Sequence, residues 1–384
     1  MKRLMEGYNI NMNKRVAIVV NVDWFFVSHR LPIALEALNR GYEVHLLTNN
    51  TGKREYIESF GIKFYQVPFV RSGKNPFKEL LCVLKLKNYF NQIKPDVIHN
   101  VTLKASLLSS IAAKLSGHKS VINAISGFGY TFTDGRDGLL QKIVKSIMNY
   151  AYKNNTFSFI LQNPDDLNEV KRLNFVPEQN LYLVRGSGID LNDFSYHQPN
   201  DNERIVFTLP ARMLKDKGIL EFIEAAKLIK EKYFEKATFR LVGDLDLDNP
   251  SGISKEYLDS IADGEYIQWV GYQNDMKKQY IYSDIVVLPS YREGLPKSLI
   301  EANAIGRPII TTDVPGCREC ICNYKNGLLI APKNSKELAN AFRFFLDNQE
   351  IIPQYGKNSR IMAESLFSIE NVVKLHMDIY QRYF

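Results

Sequence analysis

Two loops in the second half of the chain carry charged side chains at spacings suited to binding a phosphorylated ligand. The first, in LPARMLKDKGIL at residues 209–220, contains Arg212 and Lys217 between an apolar run and an amphipathic helical pattern. Two cations in a tight loop can hold a diphosphate and stabilise the charge on a departing nucleotide. Taken alone, the same residues are also compatible with a solvated basic loop.

The second loop lies in SYREGLPKSLIEANAIGRPII, residues 290–310. The pattern predicts a loop over Tyr291–Leu295 and then a helix with Pro296 in its first turn, where the missing N–H costs nothing. A helix N-terminus offers amides and partial positive charge to a phosphate group. Glu293 and Glu301 can accept hydrogen bonds from sugar or ribose hydroxyls. A surface loop before an ordinary amphipathic helix would show the same pattern.

Metal and redox chemistry are poorly supported by the residue pattern. Asp246 and Asp248 lie in the polar segment LVGDLDLDNP, and we interpret them as solvated acids. Cys317, Cys320 and Cys322 lack a second Cys/His pair at zinc-site spacing. No GxGxxG follows the first apolar run, which argues against a dinucleotide oxidoreductase. We therefore predict no metal and no bound cofactor.

The charged loops require a scaffold of alternating strands and helices. Such alternation predicts an α/β protein of two doubly wound, Rossmann-like domains facing a cleft, with ligands beyond the strand carboxyl ends. We expect domains at 12–195 and 196–370, joined by the polar stretch 194–203, and a C-terminal helix at 371–384 packing back toward the first domain. Strands are predicted at KRVAIVVN, EVHLLTN, KFYQVPF, DVIHNV, KSVINAI, FSFILQN, LYLVRG, RIVFTLPA, TFRLVGD, YIQWVG, IVVLPS, PIITTD and GLLIAP.

The charge distribution suggests an anionic partner for the first half. The net charge of the 384 residues is +7, and residues 1–195 carry 25 Lys/Arg against 16 Asp/Glu. Four cysteines in so long a chain indicate a reducing compartment rather than a disulfide framework. No apolar run is long enough to span a membrane. Residues 1–11 read as a loose tail before a possible start at Met12.

Taken together, these segments resemble the retaining glycosyltransferases of family 4, which have the GT-B fold. The resemblance runs from about residue 14 to residue 380. Its most specific part is the order ARMLKDKG, then LPSYREGLPKSLIEANAIGRPIITTDVPGCRE, then NGLLI. A nucleoside-diphosphate sugar is therefore the expected donor.

The resemblance implies a role for each matching residue. Arg212 and Lys217 correspond to the pair that grips the donor diphosphate. Glu293 corresponds to the glutamate that contacts the donor sugar, and Glu301 to the one that holds the ribose hydroxyls. The loop that approaches the sugar and the phosphates comprises Gly294, Leu295 and Pro296.

The first half resembles one subgroup of this family, which builds bacterial surface polysaccharides and lipid-linked oligosaccharides. His99 and Lys104 correspond to a basic pair in that subgroup. The Gly-rich segment AISGFGYTF, residues 124–132, also resembles it. The first loop departs from the family because it lacks a glycine pair, so Trp24, Phe25 and Phe26 are expected to face acceptor or lipid.

The resemblance implies metal-independent, retaining transfer of a sugar from a nucleotide donor, with UDP and an N-acetylhexosamine expected, to a polysaccharide-precursor acceptor linked to polyprenyl diphosphate. We expect no nucleic-acid partner and a cytoplasmic enzyme, peripheral on the inner face of the cell membrane. Segments 71–94 and 137–155 mix lysines with apolar residues, which fits either a membrane surface or core-facing stripes with solvated lysines. Two other functions stay open: a sugar-nucleotide 2-epimerase of the same fold, and a non-enzymatic lipid- or nucleic-acid-binding module.

Overall fold

A computed structural model describes residues 14–69, 75–127, 139–199 and 203–384, apart from the side chains of residues 139–141. Several expectations fall outside these ranges. They concern the tail at residues 1–11, the Gly-rich segment from residue 128 onward, the beginnings of the two lysine-rich segments, and residues 200–202 of the predicted linker.

The chain divides into two units. One runs to Ser187 and also includes Asn371–Phe384, and the other comprises Gly188–Glu370. The division falls before the predicted linker at 194–203 because Ile189 forms backbone hydrogen bonds with residues of the second unit. Its N–H donates to the Phe367 carbonyl at 2.8 Å, and its carbonyl accepts from the Ile369 N–H at 2.9 Å.

Within the described residues, the first unit contains a parallel sheet in the order β3-β2-β1-β4-β5-β6-β7. Its inner strands β4, β5 and β6 are short runs buried on both faces, as expected when helices cover both faces of a parallel sheet. The strands are β1 Arg15–Val22, β2 Glu43–Asn49, β3 Lys63–Gln66, β4 Val97–Val101, β5 Val121–Ile125, β6 Ser158–Leu161 and β7 Leu181–Leu183. The helices between them are α1 Asp23–His29, α2 Leu31–Asn39, α3 Arg54–Glu58, α4 Pro76–Ile93, α5 Leu103–Leu115, α6 Leu139–Tyr152 and α7 Pro164–Leu173.

The second unit repeats this plan, with its described strands in the order β10-β9-β8-β11-β12-β13. The strands are β8 Ile205–Pro210, β9 Ala237–Val242, β10 Ile267–Trp269, β11 Ile285–Leu288, β12 Ile309–Thr312 and β13 Gly327–Ile330. The helices are α8 Ile219–Tyr233, α9 Lys255–Ile261, α10 Met276–Tyr282, α11 Lys297–Ile305, α12 Ser335–Asp347 and α13 Ile352–Met362. Each sheet therefore reverses its strand order once, between β1 and β4 and between β8 and β11.

The aromatic core of the second unit fixes the strand and helix that flank its reversal point. Phe207 of β8 stacks on Phe239 of β9 with ring centroids 5.1 Å apart. Phe342 of α12 lies 4.8 Å from Phe207 and 5.7 Å from Phe222 of α8. All four side chains are fully buried. This packing holds the carboxyl end of β8 and the start of α8 in a defined position.

The segment after β1 forms helix α1 from Asp23 onward, rather than the predicted loop. The strand ends at Val22, and the buried carboxylate of Asp23 accepts backbone N–H groups of Trp24, Thr51 and Lys53 at 2.7–2.9 Å. Burial alone would raise the pKa of Asp23, but these hydrogen bonds lower it below its ordinary value. Phe26 is fully buried in the core. The expectation that Phe26 faces acceptor or lipid is therefore wrong, because it lies on the inner face of α1.

The C-terminal helix α14, Ile369–Gln381, brings its buried residues into the core of the first unit. Tyr380 Oη lies 2.6 Å from Nδ1 of His99, and the His376 ring lies 5.4 Å from the His99 ring. Arg30, also buried, donates from Nη1 to Oγ of Ser187 at 3.2 Å. Burial lowers the pKa of His99 well below its ordinary value, and the charges of His376 and Arg30 lower it further. His99 is thus neutral, which corrects its prediction as one of a basic pair.

We expect the stability of the protein to fall as the pH drops from about 7.5 to 5. Burial lowers the pKa of His376 to about 3, so the unfolded chain binds protons below its ordinary pKa that the folded chain excludes. For His376 alone this linkage amounts to about 2 kcal/mol lost at pH 5. Urea unfolding midpoints at both pH values measure the change. His376→Leu should reduce the pH dependence, and an unchanged dependence would contradict the assignment.

Candidate functional site

The candidate site lies at the carboxyl ends of β8 and β11, where the strand order of the second sheet reverses. The two strands are neighbours, with Ile285 opposite Phe207 and Val286 opposite Thr208. The loops that leave them run to α8 and α11. A crevice forms at such a reversal, and ligands of doubly wound folds bind there.

Gly218 allows the loop after β8 to lie against the loop after β11. It ends the short helical turn Lys215–Lys217 with φ of +75° and caps α8. A Cβ atom on Gly218 would lie 2.2 Å from the Pro289 carbonyl oxygen, so a side chain has no room there. This close approach places the Lys217 side chain beside the residues that follow Pro289.

Lys217 and Glu293, predicted from separate segments, form an ion pair between Nζ and Oε1. The same oxygen accepts the Ser290 hydroxyl at 2.7 Å. Ser290 is fully buried and also lies 3.0 Å from the Asp216 carbonyl, so it joins the two loops. The Glu293 side chain is 13% exposed and that of Lys217 is 23% exposed, which leaves both accessible to a small ligand.

Arg212, the second predicted cation, pairs through Nη1 with Oδ2 of Asp246 in the loop after β9. The interpretation of Asp246 as a merely solvated acid is therefore wrong. The Met213 N–H donates to the Asp244 carbonyl at 2.9 Å, and this brings the two loops together. The Arg212 side chain is 45% exposed, so its guanidinium can reach solvent and ligand.

The segment Gly294–Pro296 connects Glu293 to α11. Leu295 is buried in the local core. Pro296 caps the helix with ψ of 119°, and α11 begins at Lys297, one residue later than predicted. The Pro296 carbonyl accepts the N–H of Leu299 at 3.1 Å. The first amides of a helix have no intrahelical acceptor, so this end of α11 is suited to binding an anion.

Gly316, in the loop after β12, lies against this segment. Its φ is +79°, and a Cβ there would lie 2.5 Å from the carbonyl oxygens of both Glu293 and Gly294. The Glu293 N–H donates to the Pro315 carbonyl at 3.3 Å. The backbone position of Glu293 is therefore set by direct contact with a glycine that the sequence prediction did not identify.

Glu301 lies on the inner side of α11, and 8% of the residue is exposed. Tyr280 donates its hydroxyl to Oε2 at 2.8 Å, and Lys297 Nζ lies 3.6 Å from Oε1. Burial raises the pKa of Glu301, while Lys297 and the Tyr280 hydroxyl act in the opposite direction. Glu301 therefore lies in a site with little solvent, where hydrogen bonds between its carboxyl oxygens and ligand hydroxyl groups are strong.

The two predicted first-unit residues do not form an exposed basic pair. His99 is buried inside β4, as described above. Lys104, near the start of α5, forms an ion pair with Glu79 of α4 at 2.6 Å. Next to them, Thr102 has φ of +73°, a strained conformation for a β-branched residue, at the carboxyl end of β4. No sequence signal identified Thr102.

The cysteines of CRECIC are free thiols, with Cys317 and Cys320 buried and Cys322 exposed. Burial raises the pKa of Cys317 to about 12, so this thiol is unreactive at neutral pH. In the described parts of the chain, no group of three or more His, Cys, Asp or Glu side chains is placed to hold a metal ion. Over the same residues, no helix has the length and hydropathy required to cross a bilayer.

The chain is similar to known glycosyltransferases along most of its length. Residues 15–163 match the family described as "Glycosyl transferase 4-like", and residues 192–362 match "Glycosyl transferases group 1". The chain is 28% identical over 369 residues to the N,N'-diacetylbacillosaminyl-diphospho-undecaprenol alpha-1,3-N-acetylgalactosaminyltransferase of Campylobacter jejuni subsp. jejuni, covering 92% of this chain and 94% of that protein. It is 25% identical over 354 residues to the UDP-Gal:alpha-D-GlcNAc-diphosphoundecaprenol alpha-1,3-galactosyltransferase of Escherichia coli, covering 89% of each.

The fold comparison gives the same result. A crystal structure of a glycosyltransferase from Rickettsia africae ESF-5 matches with a TM-score of 0.77 at 18% identity, covering 98% of this chain and 99% of that one. The two parallel sheets, each with one reversal of strand order, are those of the GT-B fold. The chain therefore belongs to the glycosyltransferases of GT-B fold, with a 4-like domain followed by a group 1 domain.

Proposed function

We propose that the protein transfers a sugar from a nucleoside-diphosphate donor, with retention at the anomeric carbon, to a polyprenyl-diphosphate-linked saccharide. UDP-N-acetylhexosamine is the proposed donor. The second unit binds the donor and the first unit the acceptor. The observation that carries this proposal is the Lys217–Glu293 pair beside the N-terminus of α11, which sets a cation, a carboxylate and helix amides around one position.

The proposed chemistry follows from the charges at the site. The bond between the anomeric carbon and the diphosphate oxygen breaks, and its electron pair stays with the diphosphate. Lys217, Arg212 and the first amides of α11 stabilise that negative charge. Glu293 accepts hydrogen bonds from sugar hydroxyls, and Glu301 accepts those of the ribose. The acceptor oxygen bonds to the anomeric carbon, and its proton passes to the departing diphosphate oxygen. Turnover is expected to persist in the presence of EDTA.

The acceptor proposal is supported by the relatives and by charge. Both relatives described above are named for acceptors with a diphospho-undecaprenol or diphosphoundecaprenol group. The excess of basic residues in the first half suits an anionic acceptor. We therefore place the enzyme at the cytoplasmic surface of the membrane, where such an acceptor is embedded.

A labelled-donor assay tests the proposal. The protein is incubated with UDP-N-acetylglucosamine or UDP-N-acetylgalactosamine, with and without an undecaprenyl-diphosphate-linked saccharide. We expect labelled lipid only when the acceptor is present, and NMR of the product should show the anomeric configuration of the donor. Conversion of the donor without acceptor would instead support a 2-epimerase, and a lack of turnover with every nucleotide sugar would support a binding module.

A further inference from the structure

Helix α4 has two apolar faces, and only one of them is buried in the core. Its buried face comprises Cys82, Val83, Leu86, Phe90 and Ile93. On another face, Phe77, Leu80, Leu81 and Leu84 are 77%, 55%, 61% and 50% exposed. Their spacing is that of one helical stripe. The next exposed positions, Asn88, Asn91 and Gln92, are polar, so the exposed stripe is confined to the first half of the helix.

Helix α6 carries a second exposed stripe. Ile143, Ile147 and Tyr150 are 48%, 42% and 55% exposed, and their spacing again places them on one side of the helix. Both helices pack on α5. They contribute their buried residues to the same core cluster, which includes Leu86 of α4 and Met148 of α6. The two stripes therefore lie on one helical layer of the first unit.

The residues that border the two stripes are mainly basic. Lys78 and Lys85 are exposed on α4, and Lys142 and Lys145 are exposed on α6. The single acidic residue of α4, Glu79, is paired with Lys104, and the sequence of α6 contains no acid. Apolar residues bordered by lysines suit a surface of anionic lipid headgroups over acyl chains.

We propose that the exposed stripes of α4 and α6 are a membrane-docking face that inserts into the headgroup region of an anionic bilayer. The proposal rests on the proposed function, because an enzyme that acts on a membrane-embedded acceptor gains from residence at the bilayer. It also answers the question that the sequence left open. In α4 the core-facing residues and the membrane-facing residues are two separate stripes of one helix.

Vesicle flotation tests the docking face. Wild-type protein is mixed at low salt with phosphatidylcholine vesicles that contain phosphatidylglycerol, and with vesicles of phosphatidylcholine alone. We expect binding to the anionic vesicles, and at least a tenfold loss of affinity in the double variant Leu80→Gln/Leu84→Gln. Leu228→Gln, at a leucine that is 48% exposed on α8 of the second unit, is the matched control and should bind like wild type. Lys78→Gln/Lys85→Gln should bind more weakly and with less dependence on salt.

Two further measurements separate this proposal from the proposed function. Transfer to a short-chain, water-soluble acceptor should be the same for wild type and the Leu80/Leu84 variant, whereas transfer to acceptor in vesicles should fall in the variant. Transfer to the soluble acceptor without any flotation would overturn the docking face and leave the function standing. Flotation without transfer to either acceptor would overturn the function alone. A wild-type dimer that the variant dissociates, with no vesicle binding, would assign the face to self-association and overturn the proposal.

Discussion

Lys217→Ala is expected to reduce the turnover number for sugar transfer by about 10²- to 10³-fold, since removal of one preorganised group that stabilises developing charge typically has that effect. The loss should be mainly in kcat, because the charge on the diphosphate grows as the glycosidic bond breaks. The fold should survive, because the Lys217 side chain is on the surface of the crevice and 23% exposed. Steady-state kinetics with labelled donor and a thermal unfolding midpoint measure both effects.

Lys215→Ala is the matched control for this prediction. Lys215 belongs to the same helical turn, and its side chain is exposed. We expect its turnover number to stay close to that of wild type. Glu293→Ala should also be severely impaired, and the double variant Lys217→Ala/Glu293→Ala should lose less than the sum of the two single changes, because the side chains are in direct contact. Near-normal rates in Lys217→Ala and Glu293→Ala would refute the assigned site.

Gly316→Ala is expected to remove most of the sugar-transfer activity, although the added methyl group contacts the protein backbone and not the ligand. The new Cβ would overlap the carbonyl oxygens of Glu293 and Gly294, so the loop that presents the Glu293 carboxylate must move. A displacement of about 1 Å in a catalytic group can cost on the order of 10²-fold in rate. The φ of +79° adds a conformational cost of roughly 1–2 kcal/mol to stability.

Gly264→Ala separates strain from displacement. Gly264 has nearly the same φ, +78°, but a Cβ there meets nothing within 4 Å. Both variants carry a similar backbone strain, but Gly316→Ala should lose more stability in urea unfolding because its Cβ also overlaps two carbonyl oxygens. The loss of turnover should occur in Gly316→Ala alone. Equal activities in the two variants would show that Gly316 does not position Glu293.

The main elements of the site follow from local sequence patterns. Short apolar runs end at Pro210 and Leu288, and charged residues follow each of them, so the meeting of Lys217 and Glu293 is predictable once the strands are recognised as neighbours in a parallel sheet. The start of α11 is also local, and the prediction was wrong by one residue because a proline can cap a helix as well as open it.

The residues that the sequence analysis misjudged depend on contacts between distant segments. Asp246 pairs with Arg212 across 34 residues, and nothing near either residue indicates the distance between their loops. His99 contacts Tyr380 across 281 residues, so its burial and neutral state depend on a helix at the far end of the chain. Phe26 was misjudged for a different reason. The sequence analysis placed it in a loop, whereas α1 begins at Asp23, directly after β1, and turns the Phe26 side chain toward the core.

The position of α14 has a consequence for biosynthesis. Val372, Met377 and Tyr380 complete a core whose other residues include Val16, Ile18 and Ile122. While the ribosome extends the chain, the first unit is therefore made early but lacks one wall of its core until synthesis reaches Tyr380. The second unit, Gly188–Glu370, is continuous in sequence and complete before that point. A nascent chain that stalls near residue 370 would therefore lack that wall and present an open apolar surface to chaperones and proteases.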